Sequence, residues 1–206
     1  LCIISKMLKA PIEGSGIPTK GTPQGGILSP LLSNIVLNEL DWWIADQWES
    51  FETRHNYDII RKNKVEKSHK YRALRKTGMK EIYIVRYADD FKIFCRDYKT
   101  ASKIYHATKL WLKERLHLEI SEEKSKIVNL NTNYSEYLGF KMKLKSKGDK
   151  KVVKSHISDK ARKSIQRKIR SQIINIKKET TVENINKYNS TILGLHNYYK
   201  IATEVN

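Results

Sequence analysis

Residues 82–95 read IYIVRYADDFKIFC, and the fold turns on how that stretch is taken. Apolar residues alternate with others from Ile82 to Tyr87, two acids follow at Asp89 and Asp90, and the alternation resumes at Phe91, Ile93 and Cys95. A period of two belongs to a half-buried strand, so the stretch predicts a hairpin turning at Asp89-Asp90. Aspartate tolerates turn geometry and bonds its own backbone, which taken alone accounts for two adjacent acids at a hairpin tip without any function. The flanking strands change that balance. Neighbouring strand side chains point to opposite faces, and a tight turn is one of few ways to hold consecutive carboxylates near one point. Such a point suits Mg2+, a hard cation that shares its remaining positions with substrate phosphates.

The acids stand out because the chain is basic. Its 206 residues carry 40 Lys+Arg against 22 Asp+Glu, a formal charge of +18. The excess is concentrated: residues 54–80 hold 10 Lys/Arg and 2 acids, residues 141–178 hold 15 and 2, and the rest is slightly acidic. Both segments also carry spaced apolar residues and neither is of low complexity, so they read as surfaces for a phosphate backbone. No apolar run approaches the roughly 20 residues of a spanning helix, and the first residues lack a leader's cleavage pattern. Cys2 and Cys95 lie far apart, with no CxxC or HxxxH, and so support neither a disulfide framework nor a zinc site. The expectation is a soluble chain in a reducing compartment, cytoplasmic in a bacterium or organellar in a eukaryote, with no membrane partner.

Outward from the hairpin, residues 1–9 resemble the end of a helix, and residues 11–26 form a glycine- and proline-rich loop. Ser29 as N-cap and Pro30 as first helical residue open a helix reaching Trp48 that is apolar nearly all round and so reads as buried. Residues 54–80 read as mixed helix and loop. Thr100–Arg115 is an amphipathic helix with Ala101, Ile104, Ala107, Leu110, Trp111 and Leu112 inward, followed by short strands at 118–120 and 126–130. A second hairpin, 137–145 with 151–154, closes through Ser146–Asp149. From Ser158 only helices are expected: Ala161, Ile165, Ile169, Ile173 and Ile176 line one face, Thr180 and Glu183 make a capping box, and Gly194 marks a break. Strands give way to helices near 155, which sets the domain boundary between 154 and 155.

Five blocks, GTPQGGILSPLLSNIVLNEL (21–40), RYADDF (86–91), LHLEISEEKSKI (116–127), YLGF (137–140) and GLHNYY (194–199), resemble, in order, those of the reverse transcriptases encoded by group II introns, also called intron maturases. The resemblance implies an α+β fold: a reverse-transcriptase palm, an antiparallel sheet packed on helices, over 1–154, then an all-α thumb over 155–206. It makes Asp89 and Asp90 catalytic metal ligands for two Mg2+ ions, with Mn2+ as an alternative. Tyr87 and Ala88 lie where the primer terminus sits. Pro23, Gln24, Gly25 and Gly26 line the nucleotide and template pocket, where glycine permits close backbone approach.

Lys124 falls where related polymerases keep a lysine near the triphosphate, although it is also an ordinary turn lysine. Tyr137, Leu138, Gly139 and Phe140 correspond to the hairpin that supports the primer. Arg162, Lys163, Arg167 and Arg170 would hold RNA by its backbone, while Tyr198 and Tyr199 read as core. The implied partners are the group II intron RNA, an RNA template with its DNA primer, and dNTPs.

A two-metal site needs a further carboxylate. Before residue 21 the sole acid is Glu13, so the resemblance covers the back half of a palm without fingers, and without an endonuclease domain. The expectation is polymerase activity in an intact protein and none in this chain alone. An RNA-binding maturase without polymerisation is the alternative reading. A basic domain unrelated to polymerases explains the charge but leaves the five ordered blocks to coincidence.

Overall fold

The structure is a computed structural model that describes residues 2–9, 11, 16 and 28–204. Two compact units make up the chain, Leu1–Ile127 and Val128–Asn206. The first carries helix α1 (Cys2–Leu8), helix α2 (Ser29–Ala45), hairpin β1–β2 (Ile59–Arg61, Lys64–Glu66), helix α3 (Ser68–Arg75), hairpin β3–β4 (Ile82–Tyr87, Asp90–Cys95) and helix α4 (Tyr98–Leu116). The second carries the three-stranded antiparallel sheet β5–β6–β7 (Ser135–Tyr137, Phe140–Lys147, Lys150–Ile157) and helices α5 (Asp159–Lys178) and α6 (Val182–Tyr199). The expected boundary at 154/155 falls inside the second unit, because β7 is laddered to β6 along its whole length and β6 packs Phe140 against the end of α6. Helices with small antiparallel sheets make a mixed α+β fold.

Burial of apolar side chains organises the first unit around Leu37, Leu40, Ile44, Trp48, Leu74, Ile82, Ile104 and Leu112. Helix α2 gives one stripe to this core and leaves Leu31, Ile35, Val36 and Trp42 exposed, so the burial expected all round is wrong. Its α-helix also stops at Ala45, with Trp48 buried in the turn beyond, and Ser29 is its first helical residue rather than its cap. Trp48 stacks on Tyr71 of α3 and donates its indole N–H to the Tyr83 hydroxyl at 3.1 Å. That hydroxyl donates to Glu81, which also holds Arg75 of α3 and Arg96. One buried tryptophan thereby links α2, α3 and β3.

Helix α4 is capped by Asp97, whose carboxylate accepts from the Thr100 N–H at 2.8 Å. Thr100, Ile104, Thr108 and Leu112 face inward, whereas Ala107 and Leu110, expected inside, are exposed. No strand forms at 118–120 or 126–130. Residues 54–80, expected as helix and loop, hold hairpin β1–β2 as well as α3.

In the second unit the expected strand from 137 is split by a tight turn at Leu138-Gly139. Ser158 caps α5, accepting from the Ala161 N–H, as expected for the switch to helix. Ile173 is exposed and Gln172 takes its inward place, donating to the Thr191 hydroxyl of α6 at 2.9 Å. Thr181, not Thr180, caps α6 through the Asn184 N–H. Helix α6 runs through Gly194 unbroken, since one helical glycine costs only about 1 kcal/mol.

Candidate active site

The β3–β4 ladder pairs Tyr87 with Asp90, so the turn consists of Ala88 and Asp89, one residue earlier than expected. Ala88 has φ +54° while Asp89 does not take a positive φ, the pattern of a type II′ turn. Asp89 is therefore at the tip and Asp90 begins β4; both are exposed. Ile82, Ile84 and Arg86 share the strand face that meets the core, while Val85 and Tyr87 share the opposite face with their partners Lys92 and Asp90. Tyr87, 66% exposed, stands beside Asp90 on that open face.

Arg86 decides how the tip is held. Its Nε and Nη2 donate to the Asp41 carboxylate of α2 at 2.9 and 2.7 Å, and its Nη1 donates to Asn34 Oδ1 at 2.9 Å and to the Ala88 carbonyl at 2.7 Å. The Arg86 side chain is 11% exposed. One guanidinium fork thus ties the main chain of the acidic turn to a core helix, a geometry only arginine supplies. The sequence reading missed Arg86, Asp41 and Asn34. The signal was present: an arginine at the next position of the strand face that carries Ile82 and Ile84 requires a buried acceptor.

Only oxygen donors stand at the tip, and among the described residues no group of three or more His, Cys, Asp or Glu gathers anywhere. Two exposed carboxylates are too few to enclose a cation by themselves. That fits Mg2+, which keeps several waters and completes its shell with phosphate oxygens. Pro23, Gln24, Gly25 and Gly26 lie outside the described residues. Lys124 is exposed in a turn where its N–H donates to the Ser121 carbonyl at 3.2 Å, and the neighbouring Glu122 pairs with Lys109 of α4.

In the second unit the YLGF and GLHNYY blocks meet. Tyr137 pairs with Phe140, and Leu138 and Gly139 between them have φ +49° and +78°, a type I′ turn. The Tyr198 hydroxyl donates to the Leu138 carbonyl at 2.9 Å, and the Ser158 N–H donates to the Gly139 carbonyl at 2.8 Å. Phe140 stacks on Tyr198 and tilts against Tyr199, and a Cβ at Gly139 would lie 2.9 Å from the Tyr199 hydroxyl. Tyr199 is half-buried here, as expected of core, but Tyr198 is 49% exposed and serves as a turn clasp. Along α5, Lys163, Arg167 and Arg170 form an exposed stripe opposite the inward face, and Arg162 flanks it, paired with Asp159 at 3.6 Å.

A family model described as reverse transcriptase (RNA-dependent DNA polymerase) matches residues 3–142. The group II intron-encoded protein LtrA of Lactococcus lactis subsp. cremoris is 29% identical over an alignment of 242 positions, taking in 90% of this chain and 40% of that protein. Protein YkfC of Escherichia coli (strain K12) is 30% identical over 154 residues, 70% of this chain and 38% of YkfC. An uncharacterized 91 kDa protein in the cob intron of Schizosaccharomyces pombe is 29% identical over 145 residues, 58% of this chain. The chain thus spans about two fifths of the length of the first two relatives. The kinship expected from the five blocks is borne out.

Proposed function

We propose a function from one fixed point: the chain belongs to the reverse transcriptase (RNA-dependent DNA polymerase) family, and in the intact protein it forms part of an enzyme that extends a DNA primer on an RNA template. The observation that carries this reading is the pair of exposed carboxylates, Asp89 and Asp90, at a hairpin tip anchored to the core through Arg86. In this role the first unit and the β5–β6–β7 sheet act as palm and α5 with α6 as thumb. The partners are the intron RNA, the template–primer and dNTPs. Taken without the remainder of the protein, the chain does not polymerise.

Reverse transcriptase domains use divalent metal ions, and Asp89 and Asp90 would hold Mg2+ here. When bound, such ions favour the ionised 3′-hydroxyl and neutralise the leaving pyrophosphate. The chain's own groups do the rest. Ala88, with no side chain beyond Cβ, lets the primer terminus come close to the turn, and Tyr87 on the open face offers its ring to the terminal nucleotide. Arg86 fixes the turn so that Asp89 needs no reorganisation when substrate arrives. Gln24 can both donate to and accept from the template or nucleotide, and Lys124 supplies a positive charge, or a proton, to the triphosphate. The Leu138-Gly139 turn, clasped by Tyr198, supports the primer strand. Lys163, Arg167 and Arg170, with Arg162 beside them, hold RNA phosphates.

Primer extension by the intact protein tests the catalytic assignment. Asp89→Ala or Asp90→Ala abolishes synthesis while leaving template–primer binding in place; wild-type synthesis by either variant dismisses it.

A further inference from the structure

We infer that the β1–β2 hairpin is a second nucleic-acid surface, one that docks on the phosphate backbone of double-helical RNA apart from the stripe on α5. The inference rests on the RNA-binding reading above and adds a site to it.

Three features converge on the hairpin. First, its tip is a run of cations, Arg61, Lys62 and Lys64 around Asn63, all exposed. Arg61 meets Glu66 at 3.6 Å, but among the described residues Lys62, Lys64 and the following Lys67 have no carboxylate within ion-pair distance. The segment 54–80 holds only two acids against ten Lys/Arg, so beyond the Arg61–Glu66 and Arg75–Glu81 pairs most of its charge is left for an external anion.

Second, the turn itself is built with an unfavourable residue. Lys62 and Asn63 have φ +48° and +59°, a type I′ turn, for which asparagine followed by glycine is preferred. A lysine in the left-handed region is disfavoured by its Cβ, and a lone two-stranded hairpin has little stability to spare. A charge needed only for solubility could stand anywhere on the surface. Here it stands where it weakens the turn, and a strained residue in such a place points to use.

Third, the hairpin's shape selects the kind of nucleic acid. Ile60 and Val65, 75% and 54% exposed, form a cross-strand β-branched pair that holds the register. Neither they nor the tip residues offer a ring on which an unpaired base could stack, which single-strand binders rely on. A cationic tip without aromatics suits backbone contacts along a helix, where RNA is read by shape.

The test uses the intact protein with a labelled RNA duplex of about 20 base pairs, longer than the roughly 16 that one duplex-binding module spans, and the corresponding single strand. The variant Lys62→Asn with Lys64→Thr removes two charges while giving the turn and the strand better formers, so its melting temperature holds or rises. Duplex affinity falls, and the slope of log affinity against log salt shrinks by about two, so the variant loses roughly tenfold less affinity than wild type between about 50 and 200 mM salt. An unchanged duplex slope, or a loss confined to the single strand, overturns the inference. Arg167→Gln with Arg170→Gln, measured alongside, separates the two levels. If only that variant loses slope, the hairpin inference fails and RNA binding stands; if neither does, both fail.

Discussion

Arg86→Lys is the substitution that separates an ordinary buried ion pair from a device that aims the acidic turn. Arg86 makes contacts to three groups at once: the Asp41 carboxylate, Asn34 Oδ1 and the Ala88 carbonyl. Lysine is a point charge without a fork, so it can keep a contact to Asp41 but cannot also span to the turn. Bonds to charged groups contribute about 1.5–3 kcal/mol each when broken one-sidedly. With one Asp41 contact retained and Asp41 itself 32% exposed, the discounted cost of Arg86→Lys is about 2 kcal/mol. Arg86→Met leaves Asp41 uncompensated and costs more, about 3 kcal/mol. Urea unfolding measures both, and Asp41→Asn combined with Arg86→Lys should cost less than the two single changes summed.

The kinetic consequence goes beyond stability. Ala88 holds a left-handed conformation that costs about 1–2 kcal/mol, and the Arg86 bond to its carbonyl helps to offset this. Once released, the turn relaxes and Asp89 no longer waits in one orientation. In the intact protein, at a temperature where the variant is folded, primer extension slows about tenfold, equivalent to about 1.4 kcal/mol of transition-state stabilisation. The divalent-ion concentration for half-maximal rate rises while template–primer affinity is kept. A folded lysine variant with wild-type rate and wild-type ion requirement refutes the reasoning, and Arg86 is then a structural residue only.

Gly139→Ala should destabilise the second unit by about 2–3 kcal/mol, since φ +78° disfavours any Cβ and that Cβ would press on the Tyr199 hydroxyl at 2.9 Å. Tyr199→Phe removes the obstructing oxygen and should restore about 1 kcal/mol of this in a double-mutant cycle, and additive costs would count against the packing described. Burial pushes the Cys95 thiol up to about 11, so at pH 8 only about a thousandth is thiolate, whereas Cys2 is exposed. Alkylation of the folded chain should modify Cys2 alone, and mass mapping that finds Cys95 modified as fast contradicts this. The Arg75 guanidinium, aided by Tyr83 and Arg96, holds the Glu81 carboxyl below its ordinary range. A depressed folded-state value means stability that is present above the ordinary glutamate pKa and lost as pH falls through the folded one. Glu81→Gln should therefore be less stable than wild type at neutral pH and approach it in acid, and a gap that does not narrow on acidification speaks against the pairing.

Where structure was decided locally, the sequence made it readable. The period of two over 82–95 marked hairpin β3–β4, and Ser158, followed by an apolar repeat of about 3.6, marked the start of α5. The turns of the RYADDF and YLGF blocks were misread, both for the same reason. Register at the acidic tip depends on Ala88 accepting a left-handed φ while Arg86 reaches Asp41, forty-five residues earlier in the chain. The continuous strand expected from 137 is broken because Tyr198, sixty residues later, holds the Leu138 carbonyl, and Tyr199 closes over a glycine with no Cβ to refuse it. Patterns of neighbours do not carry bonds of that span, so the motifs were visible and their geometry was not.

The same reasoning changes what the motifs are. YLGF and GLHNYY, two separate blocks along the chain, are one clasp in space, and RYADDF is completed by two residues of α2, Asn34 inside the 21–40 block and Asp41 one residue beyond it. A substitution in one member of such a pair is felt in the other. Loss of Tyr198 should therefore mimic damage to the turn at Leu138, and loss of Asp41 should mimic damage at Asp89, although neither residue lies in the turn concerned.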